Sequence, residues 1–427
     1  MLKRLDLRAE DGDLELLLPR PSEAGADVRE PVAAIIEQVR SAGDDALIEL
    51  TARFDGVALS ELRVAAEEIN AAWTRTSPEL ASALETAWSR IVEYHRASLS
   101  TPSSFERPGL RVAHREVPVE RAGIYAPGGL ARYPSSVLMG AAPAVVAGVR
   151  QLVLCVPPAK DGRIDDATLA AAKVAGIDEV YAVGGAQAIA AMALGTERIG
   201  RVDVIAGPGN AYVAEAKRQL SGTVGIAAAF AGPSEITVVA DASADPRLVA
   251  IDLMVQAEHG PDGMAWLITW STQLADEVGA ALDELVAASP RAEVLRSTFE
   301  RSGVCAIVRD LEQAMAVSNV VAPEHLELQT SDDAAAVALV TRAGAVFCGS
   351  FAPATLGDYA AGPNHVLPTN RTARFGSALR AEDFIRHIHV VEVEESAFRE
   401  LAPTVVALAE AEGLAAHAES IRMRGEQ

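Results

Sequence analysis

Between residues 151 and 350 the chain alternates short apolar runs with helix-like stretches, and few folds accept such a pattern. QLVLCVP (151–157), EVYAVG (179–184) and RVDVIAG (201–207) read as strands, separated by helices around 165–176 and from 186, with another over 210–220. A second series follows, EITVVAD (235–241), AWLITWS (265–271), VCAIVRD (304–310) and AVFCGS (345–350), with helices near 245–258 and 272–288. Strand, helix, strand in this order predicts parallel strands joined by right-handed crossovers, so each series reads as a Rossmann-like half. Aromatic residues, at 4%, are too scarce for aromatic-rich sandwiches or barrels, which supports an α/β class. Upstream, VREPVAAIIEQVRS and ALIELTARFD space apolar residues by three and four, and the pattern resumes after Pro78, which predicts helices across 29–98. From 110 the chain turns to extended segments leading into a Gly-rich loop, and it ends in an amphipathic helical tail interrupted by Gly413.

Acidic residues outnumber basic ones by 59 to 37, a formal charge of −22, so no basic excess exists to displace counterions from nucleic-acid phosphates. The first twenty residues carry acids where a signal peptide needs an unbroken apolar stretch. The charge-free run Val180–Gly195 is shorter than the roughly 20 residues of a membrane span. Three cysteines make no disulfide framework. A soluble cytoplasmic protein is expected, with no nucleic-acid or membrane partner.

Chemistry-bearing residues fall in a few places. GPGNAY (207–212) follows a strand and opens a helix, where backbone N–H groups receive phosphates, although Tyr212 stands where a dinucleotide fingerprint has its last glycine; an ordinary turn is the rival reading. GGAQAIAAMALG (184–195) also follows a strand, and Gln187 is its one ligand-bonding side chain; close helix–sheet packing is the alternative. In VQAEHGPDG (255–263), Gln256 and His259 share a helix face as candidate metal donors. GDYAAGPNHVLPT (357–369) sets Asp358 and His365 in a loop where no packing argument asks for either. Glu324–His325 in VAPEHLEL is the strongest acid–base pair, set in a Pro-introduced turn; the bland reading is a helix-terminal carboxylate beside a surface histidine. His387 and His389 form an H-x-H on one strand face and read as surface. Cys155, Cys305 and Cys348 each lie in apolar strand-like runs, so burial is expected rather than a thiolate nucleophile.

Taken together, AGIYAPGG, SSVLMGAAPA, VGGAQAIAA, GPGNAYVAEAKRQ, AGPSE, QAEHGPDG, PEHLEL, GDYAAGPNHVLPT and EGLAAH, in this order from about residue 30 to the tail, resemble the histidinol dehydrogenase family. Two stretches depart from it: GIAAAF (225–230) lacks an acid that many relatives carry, and RAEDFIRHIHVV (380–391) has two unusual histidines. The resemblance implies two Rossmann-like parallel-sheet domains with small helical N-terminal and C-terminal domains. The boundaries it suggests are an N-terminal segment 1–28, a first domain from 29–124 and 234–379, an NAD-binding domain 125–233, and a dimerisation segment 380–427.

It further implies one Zn2+ per subunit held by Gln256, His259, Asp358 and His417, with Glu324 and His325 as the acid–base pair. Ser234, His365 and Glu412 would contact L-histidinol together with the zinc ligands and His325, and Tyr125, Gln187 and Asn210 would touch NAD. A homodimer with shared active sites would supply Glu412 and His417 from the second copy. The implied reaction is oxidation of L-histidinol to L-histidine through L-histidinal by two hydride transfers to NAD. A zinc- and NAD-dependent dehydrogenase of the same scaffold acting on another polar primary alcohol is the rival reading; the presence of Ser234, His365, Glu412 and His417 weighs against it.

Overall fold

The structure is a computed structural model that describes residues 1–10, 12–19, 28–101, 103–128, 132–228, 234–258 and 263–425. It divides into two compact units, one of Met1–Ser98 with Glu120–Phe384 and one of Leu99–Val119 with Ile385–Gln427.

In the larger unit, the series from 121 to 226 folds as β4 (Arg121–Tyr125), α5 (Pro134–Ala147), β5 (Gln151–Cys155), α6 (Asp166–Val174), β6 (Glu179–Tyr181), α7 (Gly185–Leu194), β7 (Val204–Ala206), α8 (Ala211–Leu220) and β8 (Gly225–Ile226). Its five strands are all parallel, in the order β6-β5-β4-β7-β8, the winding of half a Rossmann fold. Helices α2 (Arg29–Phe54), α3 (Ala66–Arg75) and α4 (Pro78–Ala97) pack on this half through α7, α6 and α5. In α2, Val32, Ile35, Ile36, Val39, Leu47 and Leu50 are buried at the three-and-four spacing read from the sequence, each worth roughly 1.5–3 kcal/mol. Gly43, with φ +52°, breaks α2 between its two predicted stretches, and Ser77 with Pro78 starts α4.

The second series folds as β9 (Glu235–Ala240), α9 (Pro246–Ala257), β10 (Met264–Thr269), α10 (Thr272–Ala288), α11 (Ala292–Ser302), β11 (Gly303–Ile307), α12 (Leu311–Val321), β12 (His325–Gln329), α13 (Asp333–Ala338), β13 (Ala345–Cys348) and α14 (Ala354–Tyr359). With β1 (Lys3–Asp6) it forms a parallel six-stranded sheet, β1-β11-β10-β9-β12-β13. In the N-terminal segment β1 extends the edge of this sheet, and among its described residues α1 (Leu14–Leu17) is the helix. Among the described residues no helix is long and apolar enough to cross a membrane.

The smaller unit holds β2 (Ser104–Arg107), β3 (Leu110–Pro118) and β14 (Ile385–Val393) as an antiparallel sheet, with α15 (Glu395–Ala411) and α16 (Ala415–Gly425). The expected boundaries thus differ from the contacts at two points. Residues 29–98 serve the five-stranded sheet rather than the 234–379 half, because their apolar faces meet α5–α7. Residues 104–118 pair with the C-terminal segment, which is strand and helix rather than helix alone.

Candidate active site

Strands β9 and β12 lie side by side with His325 opposite Ile236, so Glu235 and His325, the first residues of each, meet at the amino edge of the six-stranded sheet. Glu324 turns back beside them, and the Glu235 N–H donates to its Oε2 at 2.8 Å. His325 Nδ1 lies 3.0 Å from the Glu235 carbonyl oxygen and 3.4 Å from Glu324 Oε2, while Nε2 lies 3.2 Å from Asp358 Oδ1. The other Asp358 oxygen accepts from Gln256 Nε2 at 3.2 Å. The Asp358 carbonyl is 2.9 Å from His365 Nδ1, and Ser136 of α5 is 3.3 Å from His365 Nε2. A carbonyl oxygen only accepts, so His325 Nδ1 carries a proton and Nε2 is the nitrogen free to gain and lose one.

Burial alone would lower the pKa of His325, but the charge of Glu324 and hydrogen bonds to Asp358 and Glu324 outweigh it and hold the ring well above its ordinary value. Burial pulls His365 down, against Asp358. Glu235 is the third carboxyl of the cluster. Burial, with the neighbouring Glu324 charge, pushes it up to about 8, so it stays neutral near pH 7. Its Oε1 accepts from the Asn370 N–H at 2.7 Å, and its Oε2 is buried with no hydrogen-bond partner among the described residues. The opposite, carboxyl edge of β9 is closed by Asp241, which accepts from the backbone and hydroxyl of both Ser243 and Ser331.

The five-stranded sheet presents its other edge. Tyr125 ends β4, next to β7 where the strand order reverses, the usual crevice for a nucleotide in such a sheet. Its hydroxyl accepts from the Gly185 N–H at 3.1 Å, and buried Gln187 lies in the first turn of α7. Gly207, at φ +115°, runs so close to the Tyr125 backbone that a Cβ there would collide with the Tyr125 carbonyl. Asn210 caps α8, its side-chain oxygen accepting from the Tyr212 and Val213 N–H groups at 3.1 Å each. Buried Lys217 donates to the Gly207 carbonyl, and burial lowers its pKa to about 8.

The family profile described as histidinol dehydrogenase matches residues 18–425. A histidinol dehydrogenase of Gluconobacter oxydans is 47% identical over all of both chains, and one of Rhodospirillum rubrum is 48% identical over 96% of this chain and 94% of its own. The crystal structure of histidinol dehydrogenase from Elizabethkingia anophelis superposes with a TM-score of 0.94 at 35% identity, covering 99% of this chain and 98% of that one. The chain belongs to the histidinol dehydrogenase family. It is an NAD-dependent oxidoreductase, and the two-step NAD-dependent oxidation that ends histidine biosynthesis is what the family's name denotes.

Of the residues that the resemblance to histidinol dehydrogenase assigns, the larger unit brings Gln256, Glu324, His325, Asp358 and His365 together. Ser234 adjoins them through Glu235, its carbonyl accepting from Met264 N–H at 3.1 Å. Tyr125, Gln187 and Asn210 lie at strand-end and helix-start positions of the five-stranded sheet. Helix α9 ends at Ala257, and the expected pairing of Gln256 with His259 on one helix face falls on His259, which lies outside the described residues. Glu412 and His417 belong to the smaller unit, where Glu412 caps α15 and His417 lies in α16.

Local structure also departs from expectation. His325 opens a buried strand instead of sitting in a turn, and Asp358 lies in short helix α14 rather than in a loop. Cys155 and Cys305 are buried as expected, but Cys348 is exposed because β13 is an edge strand with alternating burial. His387 and His389 are exposed on β14, where His389 pairs with His114 and their ring centroids are 4.8 Å apart. Sequence reasoning missed Glu235, Ser136 and Lys217. Only Glu235 left a signal: an acid heading the otherwise apolar strand EITVVA.

Among the described residues no group of three His, Cys, Asp and Glu is placed to hold a metal. The implied zinc set fits that result, since one of its donors is an amide, one is outside the described residues and one is in the other unit. Gln256 and Asp358, in contact through 3.2 Å, are the two donors that share a position, and a neutral oxygen with a carboxylate and imidazoles suits zinc.

Proposed function

We propose that this chain oxidises L-histidinol to L-histidine through L-histidinal, with two successive hydride transfers to NAD, at one zinc per subunit, in the cytoplasm. Gln256, His259 and Asp358 would hold the zinc with His417 of a second copy, and Glu412 of that copy would join Ser234 and His365 on the substrate. Zinc held by these residues would supply the positive charge that orients the substrate's imidazole and amino nitrogens, and with Asp358 among its ligands His325 would be able to act as a base.

The observation that carries the reading is the bonding of His325. Its Nδ1 faces the Glu235 carbonyl, so Nε2 takes the alcohol proton as hydride leaves for NAD. Glu324, held by the Glu235 N–H, then takes a proton from the water that adds to the aldehyde while His325 returns its proton to the aldehyde oxygen, and the neutral His325 accepts the hydrate's proton in the second transfer. Tyr125, Gln187 and Asn210, at the strand end and helix starts of the five-stranded sheet, would line the crevice for NAD. Ser136, reaching His365 from α5, ties the substrate side to the five-stranded half. The test is an assay of purified protein stripped with a chelator and then given zinc, NAD and L-histidinol. Two NADH per histidine, lost on stripping and regained with zinc, are expected; one NADH with release of free aldehyde, or activity indifferent to zinc, would sink the proposal.

A further inference from the structure

Behind His325 lie two buried carboxyl groups that the reaction does not use. Asp252 of α9 and Glu327 of β12 share one donor, Gln329 Nε2, which lies 3.4 Å from Glu327 Oε2. Gln329 donates from Nε2 to Asp252 Oδ2 at 2.8 Å, and the Ala354 N–H, first of α14, donates to Glu327 Oε1 at 2.7 Å. All three side chains are buried, and among the described residues no Lys or Arg forms an ion pair with either acid. Two carboxylates in contact without a cation cannot both be charged, so the pair shares a proton. Burial and the charge of Asp252 push Glu327 up to about 8, in keeping with this.

The elements joined are the ones that matter. Asp252 lies one helical turn before Gln256 on α9. Glu327 lies two residues after His325, on the same face of β12. Ala354 lies four residues before Asp358 on α14. One hydrogen-bonded pair therefore spans the helix bearing Gln256, the strand bearing His325 and the helix bearing Asp358. Bare burial of an acid would be a liability here; a pair that shares one proton and accepts from Gln329 and Ala354 is a device for fixing the spacing of three elements.

We propose that the Asp252–Glu327 pair is a brace that sets the positions of Gln256, His325 and Asp358, and that Glu327 is a positioning residue for the metal and proton-transfer site. The proposal rests on the zinc and site assignments made above. Glu327→Gln keeps the length and replaces the shared proton by an amide hydrogen, whereas Glu327→Asp keeps the acid but is one methylene too short to reach both Asp252 and Ala354.

Zinc release to a chromogenic chelator, kcat, and KM for NAD are measured on each variant, with Asp358→Asn alongside. In Glu327→Asp, zinc release should rise about 10–100-fold, the range for losing a group that orients metal ligands, and kcat should fall about 10-fold with KM for NAD unchanged. Glu327→Gln should stay within about 3-fold of wild type on all three measures, and Glu327→Leu, if it folds, should exceed Glu327→Asp. Wild-type zinc release and kcat in Glu327→Asp, or a loss in Glu327→Gln as large as in Glu327→Asp, would overturn the brace. If Asp358→Asn holds zinc as wild type does, the metal assignment fails instead, and the brace is then decided by the kcat of Glu327→Asp.

Discussion

The two parallel sheets of the larger unit use opposite edges. The five-stranded sheet offers its carboxyl edge, at the point where strand order reverses, as doubly wound sheets do. The six-stranded sheet also reverses order, between β9 and β12, yet its carboxyl edge there is filled by Asp241 and its serine partners, and its charged residues gather at the amino edge. The two edges are also built from different material. The edge proposed for the cofactor is made of backbone and small residues close in sequence to their strands, with Gly207 and Asn210 shaping one turn. The edge proposed for catalysis is made of side chains drawn from α9, β9, β12 and α14, held in place by one another. Binding a dinucleotide needs N–H groups and room, whereas moving protons needs charges whose strengths are set by contact.

The largest effect should come from breaking the catalytic edge alone. His325→Asn should lower kcat by about 10³-fold, within the range for losing a general acid–base, while NADH binding followed by fluorescence stays at the wild-type value. Equal loss of both would mean that the two edges are not separable in function. The mirror experiment is Gly207→Ala, which places a Cβ against the Tyr125 carbonyl at a positive φ. Strain of roughly 1–3 kcal/mol predicts a KM for NAD raised about 10-fold or more, with kcat at saturating NAD and zinc content little changed. An unchanged KM would remove Gly207 from the cofactor edge.

This difference in material explains what could be read in advance. The alternation of strands and helices follows from local periodicity, so both sheets were legible, as were the turn at Gly207 and the small-residue start of α7. Glu324 and His325 were legible as a pair, but not that His325 opens a buried strand, because a charged residue beside a histidine carries no β signal and only the neighbouring β9 and β13 supply one. Glu235 was passed over since its role exists only when β9 lies beside β12. Strand β1 was missed because four residues with two basic side chains show no apolar run; an edge position tolerates them. The pairing of 104–118 with 385–393 joins residues far apart in the chain, and no local pattern encodes it.

A smaller effect tests whether the charges of the catalytic edge are set by burial. Glu235 remains neutral in the folded protein up to about pH 8, whereas in the unfolded chain it ionises near its ordinary 4.5. The stability it supports is whole below pH 4.5 and is lost as pH rises through 8. Glu235→Gln is neutral throughout, so its stability relative to wild type should climb between pH 4.5 and 8 and level off outside that window. Urea unfolding at pH 5, 6.5 and 8 measures this, and a difference that does not move with pH would show that Glu235 is ionised in the folded state.

The smallest effect concerns the cysteines, which bear on whether a third kind of site is needed for the aldehyde step. Burial pushes Cys155 up to about 12 and Cys305 to about 11, and it also raises Cys348, so none supplies a thiolate near pH 7. Cys155 sits in the core of the five-stranded half and Cys305 in that of the six-stranded half, and exposed Cys348 ends an edge strand. Replacing all three with alanine should leave kcat for both hydride transfers within about 2-fold of wild type, at a modest cost in stability from the two small cavities. A selective collapse of the aldehyde-to-acid step, with the alcohol step intact, would instead place a covalent thiohemiacetal on the path. Water activation by Glu324 would then be insufficient, and the catalytic edge would have to include a group that lies outside it.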